Sequence, residues 1–156
     1  MLVWKNEVFF TYGLIAFLLC HIFYIRAFYL DFSSAPQLDK KGARIAIALC
    51  AVFSISFYVY IRHGLGAMKL PVMVYTFVIS LMMMMAGFRN MRVNKISFNL
   101  ILFGAIFFLI SDSTLAYNKF VKGFDLAGLL IMATYMIAQY LITIGGIERE
   151  LVKRED

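Results

Sequence analysis

The sequence predicts an all-α integral membrane protein, a polytopic bundle of about five transmembrane helices. Two observations carry that prediction. Hydrophobic types make up 63 % of the 156 residues and charged types only 15 %, against about 45–50 % and about 25 % in a soluble domain. The charged residues also fall into short clusters between long apolar runs. The mean hydropathy of +0.83 agrees. A chain of this length cannot hide so much apolar surface in its own core, so lipid must be the solvent for most of it.

The apolar runs cover residues 7–30, 43–61, 71–88, 96–117 and 126–146. Each is near the ~20 residues a helix needs to cross ~30 Å of hydrocarbon. Helices follow because an open strand edge would leave backbone groups unpaired in lipid. The short alternating segments of a barrel are absent. Residues 1–156 read as a single transmembrane helical domain. The connector from Asp31 to Gly42, with Ser33, Ser34 and Pro36, reads as an ordinary polar loop. Gly64-Leu65-Gly66 reads as a turn, and Pro71 suits a first helical turn. Glu148 to Asp156 reads as a solvated tail.

The net charge of +6 does not indicate nucleic acid, because the basic residues sit at helix ends, where topology signals sit. Lys5, Arg62, Lys69, Lys119 and Lys122 fall on one side. Arg26, Lys40, Lys41, Arg44, Arg89, Arg92, Lys95, Arg149, Lys153 and Arg154 fall on the other. The positive-inside rule then places the C-terminus in the cytoplasm and the N-terminus of this chain outside, with a bacterial inner membrane as the expected location. Topology is sufficient to explain the loop arginines, including Arg89 and Arg92, which could otherwise meet lipid phosphates. Cys20 and Cys50 lie inside spans, without a CxxC or Cys/His cluster, so they read as packing residues and no metal site is expected. No GxSxG, HExxH or P-loop occurs.

Asp112 lies inside the fourth span, about 7–8 Å from its outer end at ~1.5 Å per residue. A carboxylate at membrane depth costs roughly 2.5–3.5 kcal/mol even on mild scales, so it faces the bundle or a wet cavity. It is either a functional acid or a structural partner for a Tyr, His or Gln on another helix. Phe17, His21, Tyr24 and Phe28 recur at helical spacing on one face. Tyr75 stands one turn into the third span, at a depth similar to that of Asp112. In the fifth span Asp125, Gly128, Met132, Tyr135, Gln139, Ile142 and Gly146 form a stripe that reads as a packing face, its glycines allowing close approach. Tyr135 and Gln139 need polar partners, for which Asp112 and His21 are candidates. Ser54, Ser56, Tyr58 and Tyr60 read as interhelical contacts.

Ser111-Asp112-Ser113-Thr114-Leu115-Ala116 resembles the SDxxLA helix of the YhhN family, which includes the animal lysoplasmalogenases. Three further segments are similar to family motifs: Cys20-His21-Ile22-Phe23-Tyr24 to AHxxY, Pro71-Val72-Met73-Val74-Tyr75 to PVxxY, and Thr134-Tyr135 to Ile142 to TYxxAQxLI. The family has about eight helices, so the resemblance implies that this chain is N-terminally truncated and holds the last five, either through a start misassigned at an internal Met or through a real truncation. It implies a second intramembrane Asp just before Met1, in a GDxxL-like motif that Met1-Leu2-Val3 would continue.

The resemblance further implies a membrane hydrolase that cleaves the vinyl-ether bond of a lysophospholipid. The products are a fatty aldehyde and a glycerophospho-alcohol. Acid-catalysed hydration needs no cofactor. It needs a general acid that is still protonated near neutral pH, which burial and a second carboxylate favour for carboxyl groups in general. On this reading Asp112 and His21 are catalytic, and Ser111, Tyr24, Tyr75, Tyr135 and Gln139 support the site or bind substrate. A chain lacking the second Asp would be inactive if both are required. The alternative class is a non-enzymatic transporter or lipid-binding protein with Asp112 as its proton or substrate site.

Overall fold

The apolar runs are helices in the computed structural model, which describes residues 7–152, with side chains from Phe9 onward. The elements are α1 (Glu7–Ser34), α2 (Lys40–Ile61), α3 (Lys69–Phe88), α4 (Lys95–Phe120) and α5 (Ala127–Ile147). Two short 3-10 turns, Arg62–Gly64 and Gly66–Met68, join α2 to α3. All five helices are long and apolar enough to cross a membrane. Each runs one or more residues past its expected span at one end or both, because polar residues such as Lys40, Lys69 and Lys95 extend the helix beyond the hydrocarbon. Pro71 stands in the first turn of α3 as expected. Met1 to Trp4 lie outside the described residues.

The closest pairing is α4 against α5. It depends on glycine, but not on the glycines of the expected stripe. A Cβ on Gly104 would stand 2.7 Å from Ile142 and 3.1 Å from the Ala138 carbonyl oxygen. One on Gly145 would stand 2.7 Å from Ile101 and 3.1 Å from its backbone nitrogen. Gly128 and Gly146 have open space where a Cβ would be. The buried face of α5 is Ala127, Ile131, Thr134, Ala138, Ile142 and Gly145. Of the expected stripe, Ile142 lies on this buried face and Tyr135 packs against Phe108 of α4, while Met132 and Gly146 are exposed and border cavities. Small residues mark the packed face, since lipid offers no hydrophobic reason to bury large ones.

Helix α3 packs between α1 and α2. Ser54 of α2 donates a hydrogen bond to Ser80 of α3, the interhelical contact expected of it. The central core gathers Phe28, Ile79, Met82, Ala105, Phe108 and Ala138 from four helices.

The connector after α1 is not a plain loop, since its first residues still belong to α1, and the tail, described as far as Val152, is exposed as expected but tied to the bundle by backbone hydrogen bonds. Asp31 is still helical and buried, and its carboxylate accepts from Arg89 Nε at 2.6 Å and from Arg149 Nε. Arg89 also donates to Ser97, whose hydroxyl donates to the Gly145 carbonyl at 2.6 Å. Burial pushes the Arg89 pKa below its ordinary value, and the hydrogen bond to Asp31 opposes that. Arg92 is buried too, donating to the carbonyls of Ala35, Pro36 and Leu38. Both arginines therefore do more than mark topology. The tail pairs with the turn before α4, through Asn94 N to Glu150 O at 2.9 Å and Val152 N to Arg92 O at 3.1 Å. The buried charges have partners because an unpaired one costs several kcal/mol.

Candidate functional site

Three helices bring Asp112, His21 and Tyr75 together. The SDxxLA segment turns Ser111 and Asp112 inward from α4, leaving Asp112 only 8 % exposed. The Tyr75 hydroxyl, from α3, donates to Asp112 Oδ2. His21 Nε2, from α1, stands 3.6 Å from the same oxygen. Oδ1 of Asp112 accepts no hydrogen bond among the described residues. Asp112 is eight residues from the end of α4, about 12 Å at ~1.5 Å per residue, because α4 continues past Tyr117.

The tautomer of His21 is set by its own helix. Nδ1 lies 2.5 Å from the Phe17 carbonyl oxygen, which can only accept, so Nδ1 carries the hydrogen. The other nitrogen, Nε2, is fully buried and has no hydrogen-bond partner among the described residues. A buried polar atom without a partner is uncommon and costly. This one faces the carboxyl group of Asp112.

A cavity of about 190 Å³ opens beside the cluster, between α1, α4 and α5. Asp112 and Tyr75 stand in its wall, with Phe17, Leu115, Met132 and Tyr135 among its other sides. A smaller cavity of about 30 Å³ lies toward α2, and Asp112 and Tyr75 line that one as well. The pair thus reaches two apolar spaces at membrane depth.

Tyr135 and Gln139 do not meet Asp112 or His21 by hydrogen bonds. The Tyr24 hydroxyl donates to Gln139 Oε1 at 2.6 Å, and Gln139 Nε2 donates to the Tyr135 hydroxyl oxygen at 3.3 Å. This second chain of polar groups ties α1 to α5. Ser111 donates to the Ile131 carbonyl at 3.0 Å and so joins α4 to α5, while its residue still lines the larger cavity.

Phe108 connects the two polar groups and was given no role by sequence reasoning. It is fully buried, and its ring meets His21 at 4.7 Å, Tyr135 at 5.5 Å and Tyr24 at 6.4 Å, each edge to face. Its position four residues before Asp112, on the same helical face, was the available signal.

A model of the YhhN family matches residues 1–146. The chain belongs to the YhhN family. Human lysoplasmalogenase TMEM86A is 30 % identical over 153 residues, covering 94 % of this chain and 59 % of that protein. Mouse lysoplasmalogenase TMEM86B is 30 % identical over 152 residues, covering 97 % and 59 %. The lysoplasmalogenase of Mycobacterium bovis is 31 % identical over 137 residues, covering 87 % and 50 %. The chain spans between half and three-fifths of the length of these relatives. No solved structure matches it significantly.

The four segments that resemble YhhN motifs converge in space. SDxxLA supplies Asp112, AHxxY supplies His21 and Tyr24, PVxxY supplies Tyr75, and TYxxAQxLI supplies Tyr135 and Gln139. Asp112, His21 and Tyr75 form the carboxyl cluster. Tyr135 lines the adjoining cavity, and Gln139 and Tyr24 are joined to it by hydrogen bonds.

Proposed function

We propose that this YhhN protein serves as a lysoplasmalogenase-like membrane hydrolase, cleaving the vinyl-ether bond of a lysophospholipid. The observation that carries the reading is the buried Asp112–His21–Tyr75 cluster, of which Asp112 and Tyr75 stand in the wall of a cavity at membrane depth. An intramembrane ionisable residue is a functional candidate by default. The names of the relatives supply the reaction class.

In this mechanism Asp112 enters as the carboxylic acid. Its proton, on Oδ1, passes to the β-carbon of the vinyl ether, forming a C–H bond and leaving an oxocarbenium ion on the α-carbon. The resulting carboxylate stabilises that cation at short range. Tyr75 holds Oδ2, which fixes the carboxyl plane and accommodates the new negative charge. Water attacks the α-carbon while His21 Nε2, the nitrogen left free by the Phe17 carbonyl, takes its proton. The hemiacetal then collapses: the bond from the α-carbon to the glycerol oxygen breaks, that oxygen is protonated from His21, and the hydroxyl proton of the hemiacetal returns to Asp112. A fatty aldehyde and a glycerophospho-alcohol leave.

The described residues give this cluster one carboxyl group. Its second acid, on the family resemblance, belongs to the GDxxL-like motif. The ten-to-five division of basic residues supports a cytoplasmic C-terminus in a bacterial inner membrane. The deciding experiment is Asp112→Asn in the full-length protein, reconstituted in lipid and assayed for aldehyde release from a lysoplasmalogen. Activity should fall to background. Full activity in a correctly inserted variant would overturn the assignment.

A further inference from the structure

We infer that the opposite end of the bundle holds a second site, which binds a phosphate-bearing lipid and is built on Asp31, Arg89 and Arg149. A cavity of about 350 Å³ runs between α1, α4 and α5, from Tyr24 down to this ion cluster. Two guanidinium groups there share one carboxylate. Arg89 holds Oδ2 of Asp31 and Arg149 holds Oδ1. The cluster therefore carries one positive charge more than Asp31 neutralises. Among the described residues, neither arginine is in a salt bridge with any other carboxylate. Glu148 and Glu150 flank Arg149 in sequence, but neither forms an ion pair with it.

The two arginines differ in what they have left to offer. Arg89 is fully buried and gives both terminal nitrogens to Ser97. Arg149 is 40 % exposed, and its terminal nitrogens donate no hydrogen bond among the described residues. Those nitrogens form one edge of a planar donor fork, which matches the oxygens of a phosphate. Asp31 holds the fork at the cavity mouth by its third nitrogen. The remaining wall, with Phe28 and Ile142, is hydrocarbon and suits a lipid chain. Basic pockets between helices at the membrane boundary recognise anionic head groups in this way.

Distance separates this site from the carboxyl cluster. Asp31 follows His21 by ten residues of one helix, about 15 Å at ~1.5 Å per residue. In a vinyl-ether lysophospholipid the β-carbon and the phosphorus are seven bonds apart, roughly 9 Å when extended. The cavity at Arg149 shares no lining residue with the cavity at Asp112, so the occupant is a second lipid. The hydrolase reading enters only in that separation. The lipid site itself stands on the ion cluster and its cavity.

Native mass spectrometry of the purified full chain tests the inference, with phosphatidylglycerol, diacylglycerol of the same chains, and inorganic phosphate as probes. One phosphatidylglycerol should be retained per chain. Arg149→Gln should weaken it about ten-fold, the loss of one charge-assisted contact. Thr143→Trp, which fills the cavity without touching the ion cluster, should weaken it as much. Asp112→Asn should leave it unchanged, so that failure of the hydrolase reading is separable from failure of this one. Diacylglycerol should bind about ten-fold less tightly. Equal retention by both Arg149→Gln and Thr143→Trp, or equal binding of diacylglycerol, overturns the site. Inorganic phosphate binding as tightly as the lipid overturns the lipid occupant in favour of a free anion.

Discussion

Tyr75 donates its hydroxyl hydrogen to Oδ2 of Asp112, joining α3 to α4 across 37 residues of sequence. A hydroxyl that donates to a carboxyl group stabilises the charged form most, so the contact strengthens when Asp112 has given up its proton. A hydrogen bond to a charged group is worth about 1.5–3 kcal/mol. Tyr75→Phe keeps the ring against His21 and removes only the donor. It should lower the rate of aldehyde release about 10- to 100-fold, with little change in thermal stability. Unchanged kinetics in this variant would remove Tyr75 from the mechanism.

His21 offers a test that separates its two nitrogens. Nδ1 is engaged with the Phe17 carbonyl, and Nε2 faces Asp112 without a hydrogen bond. Asparagine reproduces a donor near Nδ1 and supplies nothing at Nε2. If Nε2 takes the proton of the attacking water, His21→Asn should lose about a hundred-fold in kcat, the usual contribution of a general base. Helicity in detergent should be retained. A parental kcat would show that His21 is only a packing residue.

The residues that gather around Asp112 were more legible in the sequence than the packing was. Asp112, His21, Tyr75 and Gln139 stand out because lipid makes each of them costly, so each had to meet another polar group. Which pairs form was not legible. Gln139 meets Tyr24 rather than Asp112, since that depends on how α1 and α5 are rotated. The α5 stripe was misread for a related reason. Every face of a membrane helix is apolar, so periodicity does not mark the packed one. The small residues Ala127, Ala138 and Gly145 do. The Asp31 cluster was hidden because its partners lie 58 and 118 residues away in segments that read as loop and tail.

Those small residues make a prediction that needs no activity assay. Gly145→Ala would push a Cβ to 2.7 Å from the Ile101 side chain and 3.1 Å from its backbone nitrogen. Backbone cannot yield as a flexible side chain can, so α5 must shift. Overpacking of this kind costs about 1–3 kcal/mol. Gly104→Ala should behave alike, because it meets Ala138 and Ile142 backbone from the other helix. Gly128→Ala, on the same helix as Gly145 but facing open space, should be neutral or slightly stabilising, since alanine favours the helix by up to about 1 kcal/mol. Thermal unfolding of the three variants in one detergent checks the order. Equal midpoints for Gly145→Ala and Gly128→Ala would mean that α4 and α5 do not approach as described.

The shared carboxylate of Asp31 predicts unequal costs for its two partners. Arg89 is fully buried, so Arg89→Ala leaves Asp31 short of a buried partner and the Ser97 hydroxyl short of a donor. Breaking a buried pair from one side costs about 3–5 kcal/mol. Asp31→Asn should cost a similar amount, because it leaves the buried Arg89 guanidinium uncompensated beside Arg149. Arg149 is 40 % exposed, and water and ions screen its share of the interaction. Arg149→Gln should therefore cost no more than about 1 kcal/mol. Unfolding of the single and double variants measures both the order and the coupling. The Arg89–Asp31 cycle should show a larger coupling than the Arg149–Asp31 cycle. The reverse order would mean that Arg149, not Arg89, anchors the end of α1 to the rest of the bundle.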